Sequence, residues 1–257
     1  MNDIHSTAVI DPKARLGDGI TIGPYAVIAA DVEIGDNSRI GPHVCIYDGA
    51  RIGSNVTIYQ SASISHVPQD LKYAGEESHC TVGNGTTIHE FVTLHRGTVE
   101  TRLTSIGENC LLMAYSHVAH DCRVGNNVIL ANGVQIGGHA TIEDYTIIGG
   151  MTPVHQFCKV GKHCMIGGGF RVVQDVPPYI LAGHEPLKYE GLNLIGLRRR
   201  GFSNDEIMRI KKIYELIYQS HLNLTQAKEQ INQRFAGYKY AGEILDFISK
   251  STRGLIR

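Results

Sequence analysis

Residues 31–60 read DVEIGDNSRIGPHVCIYDGARIGSNVTIYQ, and within them Ile34, Ile40, Ile46, Ile52 and Ile58 recur at every sixth position. The phase extends far beyond this stretch. Of the 29 positions spaced by six from 4 to 172, 26 carry Ile, Leu or Val, and the exceptions are Asp70, Glu76 and Glu100. A helix, at about 3.6 residues per turn, and a simple alternating strand both fail to generate this period. It is the signature of a structural repeat, which sets the architecture before any single residue is interpreted.

Each unit opens on an apolar residue, often followed by Gly and two turn formers. Its fifth position is small or β-branched, as in Ala8, Ala14, Val32, Ser38, Val44, Ala50, Val56 and Ala62. The first and fifth positions are expected to point inward, with the small residue leaving room for a corner beside the large one. The Gly-Asp-Asn stretch between them tolerates the backbone angles a corner needs. Three units of six close a triangular coil. Coils stacked at about 4.8 Å give a parallel β-helix filled by a ladder of Ile, Leu and Val.

Two segments break the pattern. A loop at 66–81 replaces two units and a loop at 99–105 replaces one. Long loops leaving a rigid solenoid commonly carry function. The two prolines of DVPPY (Asp175–Tyr179) are expected to stop strand stacking. Beyond them the pattern turns helical. Ser203 and Glu206 form a capping box ahead of Ile207, Ile210, Ile213, Tyr214 and Ile217. A second helix is expected from Thr225 to Phe235 and a third from about Ala241 to Lys250. The chain therefore reads as mainly β, with a β-helix over 1–185 and a small C-terminal α-helical domain over 186–257.

The formal net charge of −1 leaves no nucleic-acid footprint. Repeats begin at Ile4 with no leader ahead of them, and no apolar run approaches membrane-spanning length, so a cytoplasmic protein without stable membrane insertion is expected. Cys110, Cys122, Cys158 and Cys164 occupy inward fifth positions, where small thiols pack as Ala or Ser would. No metal and no cofactor is expected.

Histidine is over-represented, with 13 copies. The sharpest cluster is HVAHDC (His117–Cys122), in which His120 and Asp121 fill the two corner positions of one unit. An imidazole suits a general base near neutral pH, and a carboxylate on its second nitrogen fixes the tautomer. Eighteen residues on from His120 is Gly138, and eighteen more is Gln156. The same step from Asp121 reaches His139. One column therefore holds His120, Gly138 and Gln156, and a backbone N–H at Gly138 suits an oxyanion site. A column on one chain is flat, so a second subunit is expected to wall it. The Gln69–Lys72 loop and His95 are possible contributors. GLRRRGF, with Arg198, Arg199 and Arg200, suits phosphates or acidic partners, or is a solvated basic face.

QDLKYAGE (Gln69–Glu76), HRGT (His95–Thr98), NCLLM (Asn109–Met113), HVAHDC, IIGGMTPVHQFC (Ile147–Cys158), QDVPPY and STRGLIR (Ser251–Arg257) have no reason to occur together in a generic solenoid. On these motifs the chain resembles, over essentially its whole length, the bacterial UDP-N-acetylglucosamine O-acyltransferases. The resemblance implies a left-handed helix, a homotrimer with sites between subunits, and transfer of a 3-hydroxyacyl chain from acyl carrier protein to the sugar 3-hydroxyl of UDP-N-acetylglucosamine, the first step of lipid A biosynthesis. It also implies His120 as base, Asp121 as its orienting partner and Gly138 as oxyanion donor. Asp70, Lys72, His95, His117, His139, His155 and Gln156 are implied as substrate contacts, Asn193, Arg199 and Arg200 as nucleotide and carrier-protein contacts, and Gly168 as the end of the acyl channel. Ile195 and Pro186 depart from the enterobacterial pattern, which has glutamate and histidine there. Competing readings are a zinc enzyme like the γ-class carbonic anhydrases, a coenzyme A-dependent hexapeptide acetyltransferase and a non-catalytic trimeric scaffold. The two residues between His117 and His120, where the zinc enzymes have four, argue against the first.

Overall fold

A computed structural model describes all 257 residues. Residues 3–183 wind into a left-handed parallel β-helix with three flat faces. Face A is an eleven-stranded sheet that starts at Asp3–Ile4, and faces B and C are eight-stranded sheets that start at Val9–Ile10 and Arg15–Leu16. Successive coils pair in strict parallel register, as in Leu111↔Ile129↔Ile147 on face A. The six-residue ladder lies inside as the period requires: Ile88, Leu112, Leu130, Ile148 and Ile166 are fully buried. Fifth positions fill the corners beside them, and Val128, Ala140, Cys158 and Cys164 are fully buried too. Burying one such aliphatic side chain contributes about 1.5–3 kcal/mol.

The corners explain the turn chemistry. The fourth residue of a unit takes the left-handed backbone conformation, as at Asn37 (φ 58°), Asn55 (58°), Asn109 (53°) and Asn127 (55°). Asn tolerates this region because its short amide bonds locally. The same conformation is imposed on Asp121 (φ 59°) and His139 (φ 61°), which turns their side chains outward at the edge between faces B and C.

The loops inserted at 67–78 and 96–102 both leave at this B–C edge. Strand partners on face A are eighteen apart in uninterrupted coils, but Thr57 pairs with Thr87 and Thr87 with Leu111. The differences of 30 and 24 correspond to two extra units and one, as the broken phase predicts.

The expectation that DVPPY stops strand stacking needs correction. The prolines fall in a corner, where no ladder N–H is needed, and Ile180–Gly183 adds one more parallel strand to face A. Lys188–Leu192 then turns back antiparallel, so the sheet ends in a hairpin that straddles residue 185. Four helices follow: α1 (Leu194–Arg199), α2 (Asn204–Tyr218), α3 (Leu224–Arg234) and α4 (Lys239–Lys250). The Ser203–Glu206 capping box is present and starts α2, whose Ile207, Ile210, Ile213 and Tyr214 are buried. A second box, Asn223 with Gln226, starts α3 one residue before the expected Thr225. The short α1, which the sequence pattern does not show, carries Arg198 and Arg199, and Arg200 caps its C-terminus. No helix is long and apolar enough to cross a membrane.

Candidate active site

His120 stands at the B–C edge with its Nδ1 2.7 Å from Asp121 Oδ2. Asp121 is the most elaborately held carboxylate of the site. Its oxygens accept from the Thr98 N–H (3.1 Å), the Thr98 hydroxyl (2.7 Å), the Thr101 N–H (3.2 Å) and the Thr101 hydroxyl. Its own N–H donates to Thr104 Oγ1 at 2.8 Å. Burial alone raises its carboxyl, but the hydrogen bonds from Thr101, His120 and Thr98 outweigh burial and hold it at about 2. A charged carboxylate on Nδ1 keeps the proton there and leaves the lone pair on Nε2.

The loop at 96–102 is thus the cradle of Asp121, a role the sequence reading did not assign. The signal for it was the single missing unit directly before the HVAHDC coil. The longer loop is tied to the shorter one. Glu76 Oε1 accepts from the Val99 N–H at 2.8 Å, and Arg96 donates to the Tyr73 hydroxyl at 2.9 Å and to the Asp48 carbonyl at 2.8 Å. This brings Asp70 Oδ2 to 3.9 Å from His120 Nε2. Lys72, on the same loop, is exposed.

The column expected from the repeat is present. The His139 N–H donates to the His120 carbonyl (3.1 Å), and the Phe157 N–H to the Gly138 carbonyl (3.1 Å). A Cβ at Gly138 would lie 2.8 Å from both Cε1 and Nε2 of His120, so only glycine fits beneath the imidazole. The Gly138 N–H donates to no group of the chain. His139 crosses His120 edge-on at 5.1 Å between ring centres and stacks on Phe157 at 4.5 Å. His117 Nδ1 meets Thr93 Oγ1 at 2.7 Å, and its ring lies 4.8 Å from His95. Burial, followed by the neighbouring imidazoles of His117 and His66, pushes His95 down to about 4. His155 and Gln156 are exposed one coil beyond Gly138.

The other expected residues lie elsewhere on the prism. Arg200 stacks its guanidinium 4.5 Å over Tyr145, and Asn193 donates to the His163 carbonyl at 2.9 Å, both at the C–A edge. The Asn193 amide also accepts from Gly196 and caps α1, so its side chain serves the local fold. Arg199 is exposed at the last turn of that helix. Gly168 sits at the A–B edge, stacked on Gly150, with Phe170 lying over Gly167 rather than over it.

Ligand atoms of His120, Asp121 and His139 lie within 4.8 Å of one another, the geometry of a possible cation site. Asp121 Oδ2, however, already accepts from His120 and from Thr98. Binding an ion there requires breaking that pair.

Comparison with known proteins places the chain in a family. Residues 13–48, 31–66 and 103–138 match bacterial transferase hexapeptide repeats, and residues 175–256 match the second domain of Udp N-acetylglucosamine O-acyltransferase. An acyl-[acyl-carrier-protein]–UDP-N-acetylglucosamine O-acyltransferase of Thiobacillus denitrificans is 48% identical, and one of Herminiimonas arsenicoxydans 46%, each over 100% of both chains. Among solved structures, LpxA of Acinetobacter baumannii superposes with a TM-score of 0.95 at 42% identity, covering 99% of each chain. The UDP-N-acetylglucosamine acyltransferase of Bacteroides fragilis gives 0.96 at 44%, covering 98% of this chain and 99% of that one. With full-length identity at this level, the chain belongs to the UDP-N-acetylglucosamine O-acyltransferase family.

Proposed function

We propose that this protein transfers a 3-hydroxyacyl chain from acyl carrier protein to the 3-hydroxyl of UDP-N-acetylglucosamine, the opening step of lipid A biosynthesis. One observation carries the chemistry: His120 has its Nδ1 fixed by Asp121 and its Nε2 free beside an unused Gly138 N–H. Nε2 takes the proton of the sugar hydroxyl as its oxygen attacks the thioester carbonyl. The carbonyl oxygen gains negative charge, which the Gly138 N–H stabilises. The tetrahedral adduct then breaks its C–S bond. The departing thiolate takes the proton back from the imidazolium, leaving an ester and a free carrier thiol.

Asp70, Lys72, His95, His117, His139, His155 and Gln156 border this point along the B–C edge and are proposed to hold the two substrates. Arg199 and Arg200 serve their charged groups, Asn193 shapes that wall, and Gly168 ends the acyl channel. These groups lie on three different edges of one prism, so a single chain cannot present them to one substrate. A homotrimer brings the edges of neighbouring copies together. Tyr25, Phe91, Tyr115 and Met151 support this assembly, since they are large apolar side chains left 57%, 45%, 61% and 73% exposed at the A–B edge, with Phe91 stacked on Tyr115.

The test is turnover of UDP-N-acetylglucosamine with a series of 3-hydroxyacyl carrier proteins and, in parallel, acyl coenzyme A. His120→Ala is expected to lower kcat by about 10²–10⁴ with KM much less changed. Near-normal turnover in that variant removes the base assignment. Turnover with coenzyme A donors alone refutes the carrier-protein reading. Zinc-dependent hydration of carbon dioxide without acyl transfer would favour the alternative of a zinc enzyme like the γ-class carbonic anhydrases.

A further inference from the structure

The C-terminal STRGLIR segment returns to the solenoid and is locked there by one buried carboxylate. Asp175 is fully buried. Its Oδ2 accepts from the Ser251 hydroxyl at 2.7 Å, the Thr252 N–H at 3.1 Å and the Arg253 N–H at 3.3 Å, while Oδ1 accepts from the Lys159 N–H at 2.7 Å. Its backbone N–H donates to the Gly254 carbonyl (2.8 Å), and its carbonyl accepts from the Ile256 N–H (3.0 Å). Ile256 itself is 1% exposed. Sealing the end of a β-helix needs the buried Ile256 and these backbone bonds. It does not need a cation at position 253.

Yet the clamp holds Arg253 at a defined place, with its guanidinium in the open against His155: Nη2 lies 3.1 Å from His155 Nδ1. No carboxylate lies within ion-pairing distance of it. It shares the lack of a carboxylate partner with most arginines of the chain, so what sets it apart is the fixed backbone clamp beneath it and its contact with His155. A guanidinium only donates, so accepting its N–H at Nδ1 leaves His155 with its proton on Nε2, a further donor facing out. His155 Nδ1 is also 3.1 Å from the Gln156 carbonyl, an alternative the neutral ring adopts when Arg253 turns to another acceptor. Arg253, His155 and the Gln156 amide thus form a donor-rich, anion-poor end to the His120 column.

We infer that Arg253 is a substrate-binding residue that receives a phosphate group, and that this phosphate belongs to the diphosphate of the sugar nucleotide. The inference rests on the acyl-transfer reading above. Two stacked coils separate His120 from Gln156, a span of about 10 Å at the strand spacing. The diphosphate begins one sugar ring away from the 3-hydroxyl that His120 deprotonates, which suits that span. The phosphate of the carrier's phosphopantetheine arm lies at the far end of the arm from the thioester. Planar guanidinium forks match phosphate oxygens in a way ammonium groups do not.

The test uses the full-length protein and Arg253→Gln, which leaves the backbone clamp on Asp175 intact. Melting should be unchanged. KM for UDP-N-acetylglucosamine should rise about 10- to 100-fold, the equivalent of one lost charge-assisted hydrogen bond, with kcat and the KM of the acyl carrier protein nearly constant. Arg253→Lys should restore part of the loss. Binding of UDP alone, measured by calorimetry, should weaken in parallel and lose part of its salt dependence. A rise confined to the carrier-protein KM overturns the diphosphate assignment, as does unaltered UDP binding. If wild-type protein neither binds UDP nor turns over, the acyl-transfer reading itself has failed. If it does both and Arg253→Gln matches it, only this inference has failed.

Discussion

The two threonines that hold Asp121 allow a quantitative test of how the site is preorganised. Thr98→Val and Thr101→Val keep side-chain shape and delete the two hydroxyl donors, while the backbone N–H bonds at 3.1 and 3.2 Å remain. Asp121 sits at about 2 against an ordinary value of 3.8. That displacement is worth at most about 2.5 kcal/mol of stability by linkage, reduced by screening where the edge is open to water. Because the folded value is depressed, the contribution is fully present above about pH 4 and disappears as pH falls through about 2. Each lost hydroxyl bond to a charged group is expected to cost about 1.5–3 kcal/mol, in part because burial, which opposes ionisation, then meets less resistance. The double variant should therefore denature in urea with a stability about 3–6 kcal/mol lower at pH 7 if the two losses add, and with a smaller difference at pH 2. Turnover should fall about tenfold or more with KM little changed, since the imidazole loses its fixed partner. The decisive measurement is a double-mutant cycle with Asp121→Asn. If the threonines act through Asp121, their loss costs almost no further kcat in the Asp121→Asn enzyme. Additive losses in that background refute the cradle.

Gly138→Ala places a methyl 2.8 Å from the His120 ring at an ordinary backbone angle, so kcat should drop more than tenfold while the melting temperature barely moves; unchanged turnover refutes the fit. Burial, with Arg200 next in weight, holds His163 at about 4, as burial and His117 do for His95. The unfolded chain binds these protons from about 6.5 downward, so stability should fall as pH drops from about 6.5 to 4, by up to about 3 kcal/mol per histidine before screening. His163 is stacked between Tyr145 and Tyr179 with its Nδ1 unpartnered, so His163→Phe should flatten that slope; an unaltered slope refutes the assignment. At Gly168 a Cβ meets the Gly150 carbonyl oxygen at 3.1 Å, tight but tolerable, and Gly168→Met should shift donor preference toward chains several carbons shorter, at about 0.8 kcal/mol per excluded CH₂. Coincident chain-length profiles for the two proteins would remove the ruler role.

The β-helix was legible in the sequence because its period is a property of the backbone: one buried side chain per six residues is the geometry of a three-sided coil, and Ile34 to Ile58 state it without help from distant residues. The His120–Gly138 column followed from the same arithmetic, since stacking carries each corner onto the next eighteen residues later. The capping box at Ser203 is likewise local. What lay beyond the sequence was every relation that crosses the period. That the shorter inserted loop holds Asp121 depends on hydrogen bonds between Thr98, Thr101 and a residue some twenty positions away. The extra strand at Ile180–Gly183 forms because the prolines happen to occupy a corner, which composition does not reveal. The placement of Arg200 against Tyr145 on a different edge from His120, and the return of Arg253 to His155 under the grip of Asp175, are decided by how the chain packs in three dimensions, because side chains outside the repeat acquire a common environment with it only when the C-terminal segment folds back on the solenoid.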